Sequence, residues 1–234
     1  DDSQATKTNP LVFTENLLIQ GFNAPLTIRT LTGVYEPNVI VDGQDLGSVI
    51  RFVPNGLPIG NDTRIEGLLL EDGSGTPVPF LGLVGGGVAC LDGASPTIRS
   101  CKIFENTADL GAGVYIRLTE GNPGARLMRS SIAQNDASQA GGGVYIDMVG
   151  AEGGISPQFS RSRIINNTAP SGGGLFADVG TSPVMDHCWV TSNDSTSSDG
   201  GGVMLSGTVD ARMVDSMVSG NTAAGQGGGI AMSM

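Results

Sequence analysis

The chain has 234 residues, of which 37 are glycine and 39% are hydrophobic, and its 12 lysines and arginines stand against 23 aspartates and glutamates. The net charge of −11 disfavours nucleic acid as a partner, and it disfavours polyanionic sugars unless a cation bridges them. No apolar run is long enough to cross a membrane, and the N-terminus lacks the basic and then apolar pattern of a signal peptide. Membrane insertion is therefore not expected.

The N-terminal third predicts short strands without a clear repeat. Residues 1–14 are predicted to be a leader, a cap or an exchanged strand. Residues 15–84 predict irregular coils, because short β-branched or leucine-rich runs alternate with Gly, Pro, Asn and Asp, and no segment has a helical period. Within them, the proline-containing stretch 73–85 predicts an irregular loop.

Residues 85–234 predict regular repeats. Glycine-rich starts, each followed by a short apolar run, recur at intervals of 26 to 31 residues, at Gly85, Gly111, Gly141, Gly172, Gly200 and Gly227. Each repeat also has an asparagine, with Ile or Val three residues before it and a small residue five before it. These asparagines are Asn106, Asn135, Asn167, Asn193 and Asn221. Such a period predicts a solenoid in which the asparagines stack as a structural column and bond to the corner backbone.

The repeats resemble those of the right-handed parallel β-helix superfamily typified by pectate lyases. More narrowly, they resemble repeat-rich extracellular bacterial β-helix proteins with Gly-Gly-Gly-Ile/Val-Tyr and Ile-x-x-Asn-x-Ala units, here Gly141–Ile146 and Ile164–Ala169. The resemblance covers roughly residues 15–234. It implies an all-β fold, a right-handed parallel β-helix with three short strands per coil, and a location outside the cell or on its surface.

The resemblance also implies an alternative activity, since the superfamily includes lyases and hydrolases of acidic polysaccharides. The hydrolase residue set is not present: Asn61–Arg64 is a scrambled version of one motif, and no Arg-Ile-Lys exists. His187 is the only histidine, and a lone histidine is more typical of a surface residue than of a catalyst. No catalytic residue is predicted, and the question of enzymatic activity is left open, with the absence of activity favoured.

Two aspartates on consecutive coils, Asp147 and Asp178, are a speculative calcium site, with Arg117 one coil earlier. Calcium requires several oxygen ligands from one neighbourhood, and the same residues also fit a solvated charged column. No other cofactor is predicted. The three cysteines, Cys90, Cys101 and Cys188, predict buried thiols, and pairing of Cys90 with Cys101 is left open.

Strand alternation predicts an outward aromatic ladder. It places Val144 and Ile146 inside the solenoid and Tyr145 outside. The same outward position in the other coils gives a ladder of Tyr115, Tyr145, Phe176 and Met204. An exposed ladder can bind sugar rings or another protein, whereas a covered one stabilises the sheet or lies beneath a loop.

The sequence stops at Gly227–Met234, inside a fresh strand. An open coil exposes backbone donors and acceptors, so other copies of the chain or a further part of the same protein are the expected partners at this edge, with a glycan as a further partner. The predicted function is a non-catalytic extracellular β-helix with a structural or adhesive role. It would act through self-association, including a head-to-tail filament, or through surface binding. The alternative is a polysaccharide lyase or glycoside hydrolase acting on an acidic glycan.

Overall fold

The computed structural model describes residues 11–13, 17–20, 26–29, 39–150, 157–207 and 210–233. In these ranges the regular elements are β-strands, as predicted. The same ranges contain no helix that could cross a membrane. Of the segment 1–14, residues 11–13 are described, and they pair in parallel with Val39–Val41 of the same chain.

The described strands stack into four sheets, which each regular coil visits in the order C, A, D and B. Sheet A contains β1 (Leu11–Phe13), β4 (Val39–Asp42), β7 (Leu69–Glu71), β12 (Lys102–Phe104), β16 (Ser131–Ala133), β20 (Arg163–Ile165), β24 (Trp189–Thr191) and β28 (Met217–Ser219). Sheet B contains β2 (Leu17–Gln20), β5 (Ile50–Val53), β10 (Val88–Cys90), β14 (Val114–Thr119), β18 (Val144–Val149), β22 (Leu175–Ala177), β26 (Val203–Ser206) and β30 (Ile230–Ser233).

The other two sheets complete each coil. Sheet C contains β3 (Thr27–Arg29), β6 (Arg64–Glu66), β11 (Thr97–Arg99), β15 (Arg126–Met128), β19 (Gln158–Ser160), β23 (Val184–Asp186) and β27 (Arg212–Val214). Sheet D contains β8 (Thr76–Val78), β9 (Gly82–Val84), β13 (Thr107–Leu110), β17 (Asp136–Ala140), β21 (Thr168–Ala169), β25 (Asp194–Ser195) and β29 (Thr222–Ala223). Neighbouring strands in sheets A, B and C pair in parallel, so the predicted parallel solenoid is confirmed.

Each regular coil has four strands, one more than predicted. The additional strand belongs to sheet D and lies between the asparagine and the glycines of each repeat, as in β17. Some of these strands have only two residues, such as Thr168–Ala169, and two residues are too few to show an alternating pattern in the sequence. The stretch 73–85 also differs from its prediction, because β8 and β9 form an antiparallel hairpin there.

The predicted asparagine column is confirmed, and it closes the corner between sheets A and D. Asn135 is 1% exposed, and its side-chain amide donates to the Asn167 Oδ1 at 2.9 Å and to the Ile103 carbonyl at 3.3 Å. Its Oδ1 accepts from both the backbone N–H and the side-chain amide of Asn106, at 3.1 and 3.0 Å. Each asparagine thus satisfies backbone groups that a tight corner leaves without strand partners.

Glycines provide the close approach between coils at the corner before sheet B. Gly141 has a φ of 64°, a conformation that L-residues with a Cβ rarely adopt. A Cβ added to Gly143 would lie 2.5 Å from the carbonyl oxygen of Gly174 in the next coil. The glycines are therefore required by the stacking of one coil directly upon another.

Inward columns of apolar residues fill the solenoid. Val144 and Ile146 are fully buried, as alternation predicts, and Ile132 and Ile164 are fully buried in sheet A. All three cysteines are buried free thiols, so Cys90 and Cys101 do not pair. Burial raises the pKa of the Cys101 thiol to about 12, which keeps this thiol protonated and unreactive.

Candidate functional site

The predicted aromatic ladder forms on sheet B. Tyr115, Tyr145, Phe176 and Met204 occupy one column of the parallel register. The Tyr115 and Tyr145 rings stack with centroids 5.9 Å apart, and the Tyr145 and Phe176 rings with centroids 5.1 Å apart. The stacking that alternation predicts is thus present.

The exposure predicted for this ladder is wrong. Tyr115 is 0% exposed, and Tyr145 and Met204 are each 8% exposed. Tyr115 and Tyr145 belong to a second apolar cluster, separate from the main core, which also contains Leu110 and Ala140 from sheet D and has Phe176 packed against it. Residues of the β8–β9 hairpin belong to the same cluster. A largely covered ladder stabilises the sheet and offers little surface to a ligand.

The tyrosine hydroxyls bond to the two aspartates predicted as calcium ligands. The Tyr115 hydroxyl donates to the Asp147 Oδ2 at 2.7 Å, and the Tyr145 hydroxyl donates to the Asp178 Oδ2 at 2.8 Å. Arg117 Nε donates to the same Asp147 oxygen at 3.0 Å. The calcium site stays a prediction, and these donors argue against it because they occupy carboxylate oxygens that an ion would need.

Burial raises the pKa of both tyrosines, and the hydrogen bond to a carboxylate raises it further. Both phenols therefore stay protonated at neutral pH and do not serve as general bases. Together with the aspartates that they contact, they form structural bridges between consecutive coils.

We expect Tyr145→Phe to lower the free energy of unfolding by about 1–2 kcal/mol at neutral pH, because the hydrogen bond to Asp178 is lost. The raised folded-state pKa means that the native chain holds this proton more tightly than the unfolded chain does. The contribution of the hydroxyl is therefore complete below about pH 10 and falls as the pH rises above it. Urea unfolding of both proteins tests this: the difference between them should shrink at alkaline pH. A difference that is constant or grows with pH would contradict the assignment.

Cations gather on the outside of sheet C and at the corner that leads to sheet A. Arg64, Arg99, Arg126, Arg129 and Arg161 line a cavity of about 270 Å³ on the sheet C side, together with Asn61, Asp62, Thr97, Met128 and Ser160. On the sheet A side of the same corner, a cavity of about 430 Å³ is lined by Ser100, Cys101, Lys102, Arg129, Ser130, Ser131, Arg161 and Arg163. The second cavity adds Lys102 and Arg163 to the first five cations. These seven residues, Arg64, Arg99, Lys102, Arg126, Arg129, Arg161 and Arg163, are called the basic face below.

The local backbone directs the two central arginines outward. Arg129 and Arg161 occupy the same corner position in adjacent coils, with φ of 52° and 51°. The next residue in each coil, Ser130 or Ser162, is buried, and its hydroxyl donates to the backbone carbonyl two residues earlier, at 3.1 and 3.0 Å. The inward serine fixes the corner, so the preceding arginine lies on the surface.

Most of this positive charge has no acidic partner. Within 4.0 Å, one member of the basic face pairs with a carboxylate of the described residues, Arg99 with Glu66 at 3.6 Å. Two other cations lie over aromatic rings: Lys102 Nζ is 3.7 Å from the centre of the Phe104 ring, and Arg163 is 4.3 Å from that of Trp189. Seven of the chain's 12 cations thus share one surface of a protein whose net charge is −11. Such a face can bind carboxylate, sulfate or phosphate groups through paired guanidinium hydrogen bonds.

Sequence reasoning missed the basic face because it used net charge, which averages over all surfaces. A signal was nevertheless present in the repeat alignment. Arg129 and Arg161 each stand six residues before the asparagine of their repeat, and Lys102 and Arg163 each stand four before it. Aligning charges on the asparagine column would have placed these four cations on one corner.

A comparison with protein-family models matches residues 59–223 to the family described as the right handed beta helix region. The match covers more than half of the chain and agrees with the stacked parallel sheets. Comparisons with curated proteins and with solved structures gave no match. The chain therefore belongs to the right-handed β-helix family.

Proposed function

We propose that the chain is a non-catalytic β-helix with an adhesive role outside the cell, and that its basic face attaches it to an acidic glycan. The observation that carries the proposal is the concentration of cations on one face, six of which have no described carboxylate within 4.0 Å. Unpaired cations in an open groove favour anionic ligands, because each contact replaces water and a counterion rather than an internal ion pair.

The arrangement of the cations fits an extended polymer better than a small anion. Arg64, Thr97 and Arg126 are register partners in β6, β11 and β15, so the two arginines of this column lie two coils apart. Neighbouring coils are separated by the strand spacing of about 4.8 Å. Cations distributed along the axis in this way can contact successive acidic groups of a chain that lies parallel to the solenoid.

The overall charge favours an acidic glycan over nucleic acid. Acidic side chains outnumber basic ones by 23 to 12, so the surface outside the basic face repels a long polyanion that would wrap around the protein. Cations gathered on one face suit a linear glycan that contacts the protein on one side.

A glycan lyase is the second candidate, and one observation favours it. Asp62 lines the same cavity as five arginines, so a carboxylate and guanidinium groups lie near one another in the groove. Asp147 in β18 and Asp178, which directly follows β22, lie instead on the sheet B side, where they accept hydrogen bonds from tyrosines. The groove therefore offers fewer groups for proton transfer than for binding.

Isothermal titration of the chain with polygalacturonate, heparin and neutral dextran tests the proposal. We expect binding to at least one acidic polymer and none to dextran, without release of unsaturated or reducing ends, with or without calcium. Product release would establish the lyase or hydrolase alternative. Equal or absent binding to acidic and neutral polymers would overturn the proposal.

Self-association is retained as a second route to the same structural role. Sedimentation velocity at increasing concentration measures it directly.

A further inference from the structure

Two aspartates flank the His187 imidazole at the corner between sheets C and A. Asp186 is the last residue of β23, His187 follows it at the corner, and Asp215 occupies the corner position of the next coil. His187 Nδ1 lies 2.8 Å from Asp186 Oδ1, and Nε2 lies 3.8 Å from Asp215 Oδ2. One ligand atom from each of the three residues can be chosen so that all lie within 4.8 Å of one another. Across the described ranges, no other three His, Cys, Asp or Glu side chains meet this distance.

The backbone brings these side chains together before any ion binds. β23 and β27 pair in register, and the His187 N–H donates to the Val214 carbonyl at 3.0 Å. His187 and Asp215 have φ of 51° and 46°. Arg129 and Arg161 adopt the same conformation at this corner in earlier coils. The three side chains are 46% to 70% exposed, so an ion can reach them without opening the fold.

The charges of this cluster are not neutralised by other side chains of the described residues. No described lysine or arginine lies within 4.0 Å of the Asp186 or Asp215 carboxylate, and the His187 imidazole contacts both carboxylates. Two carboxylates beside one imidazole attract a divalent cation, provided that the imidazole offers a lone pair.

The donor set selects the class of ion. An imidazole nitrogen with carboxylate oxygens suits zinc and similar borderline divalent ions, which reach these ligands at about 2.0–2.2 Å. Calcium and magnesium prefer oxygen ligands alone. Three protein ligands leave a fourth position of a tetrahedral ion open to solvent or to a second molecule.

We propose that Asp186, His187 and Asp215 form a binding site for Zn²⁺ or a similar borderline divalent ion. The ion would lie one coil beyond Arg161 in the corner column, where its charge would offset those of the Asp186 and Asp215 carboxylates and remove their repulsion of an anionic ligand beside the basic face. That consequence rests on the proposed function, whereas binding of the ion does not.

Titration of the chelator-treated full chain with Zn²⁺ alone, followed by calorimetry at about pH 7.5, tests the site. We expect one ion per chain, with affinity at least about 10-fold lower in His187→Ala and in Asp215→Asn, because a ligand is lost in each. Asp210→Asn removes an exposed carboxylate outside the cluster and should leave the affinity unchanged.

Excess Ca²⁺ should not displace Zn²⁺. No Zn²⁺ binding up to about 1 mM would overturn the proposal. So would equal affinity in His187→Ala, or displacement by Ca²⁺.

The consequence for the basic face has its own readout. Zn²⁺ should tighten binding of an acidic polymer to the native chain and leave His187→Ala unaffected. If the chain binds Zn²⁺ but no acidic polymer under any condition, the proposed function fails while the metal site stands. If it binds polymer but no Zn²⁺, the metal site fails while the proposed function stands.

Discussion

Replacing Arg129 and Arg161 together with glutamate is expected to weaken binding of an acidic polymer by at least about 100-fold. Both residues line the two cavities on either side of the corner, so they lie at the centre of the basic face. Hydrogen bonds to charged groups contribute about 1.5–3 kcal/mol each, and two new carboxylates would also repel the ligand. Isothermal titration against the polymer that binds the native chain measures the loss.

A matched control separates the position of the charges from their number. Arg51 in β5, Gln139 in β17 and Gln226 after β29 lie away from sheet C. Changing all three to glutamate lowers the net charge by the same amount as the double variant does. We expect this control to weaken binding by less than about 5-fold, through long-range repulsion alone. If the control and the Arg129→Glu, Arg161→Glu variant lose affinity equally, net charge and not the basic face controls binding.

Asn135→Ala is expected to lower the free energy of unfolding by about 3–5 kcal/mol. The change removes a 1%-exposed side chain that contacts three other residues. It leaves the Asn106 N–H, the Asn106 side-chain amide and the Asn167 Oδ1 each without one of its partners. A buried polar group without a partner costs about 1–3 kcal/mol, so the losses exceed that of one hydrogen bond. Urea unfolding followed by far-UV circular dichroism measures the change.

Gln139→Ala provides the control for this prediction. Gln139 lies in β17 of the same coil, but its side chain is exposed. We expect a change within about 0.5 kcal/mol, as for other surface substitutions. If Asn135→Ala lowers the free energy of unfolding by less than about 1 kcal/mol, water or a shift of the backbone satisfies the polar groups that Asn135 leaves. The column would then not be essential to the corner.

The fold could be predicted because each coil repeats the same few physical requirements. Ile132 and Ile164 fill the interior at one position, and Asn135 and Asn167 satisfy the corner backbone at another. Five copies of these columns make chance agreement improbable, and a single copy would have indicated little. The short strands of sheet D were missed because their pairing depends on the stacking of coils and not on local alternation.

The site was harder to predict because exposure is a tertiary property. Alternation shows that Tyr145 points away from the core, but it does not show that Leu110 and Ala140 pack beside the ladder in a second cluster. The hydrogen bond between Tyr115 and Asp147 follows from the register of their strands, and it could have been predicted from the sequence. The grouping of Arg126 with Arg161 required the three-dimensional path of the corner, which the sequence shows only through the repeat alignment.

The salt dependence of polymer binding tests the central claim most directly. Trp189 is the only tryptophan and lies 4.3 Å from the Arg163 guanidinium, so its fluorescence reports binding at the basic face. Cation contacts to a polyanion release counterions, and the logarithm of the affinity then falls linearly with the logarithm of the salt concentration. We expect a slope of about −3 or steeper for the native chain, and a slope about 2 units shallower for the Arg129→Glu, Arg161→Glu variant. A slope near zero, or the same slope in both proteins, would contradict binding through the basic face.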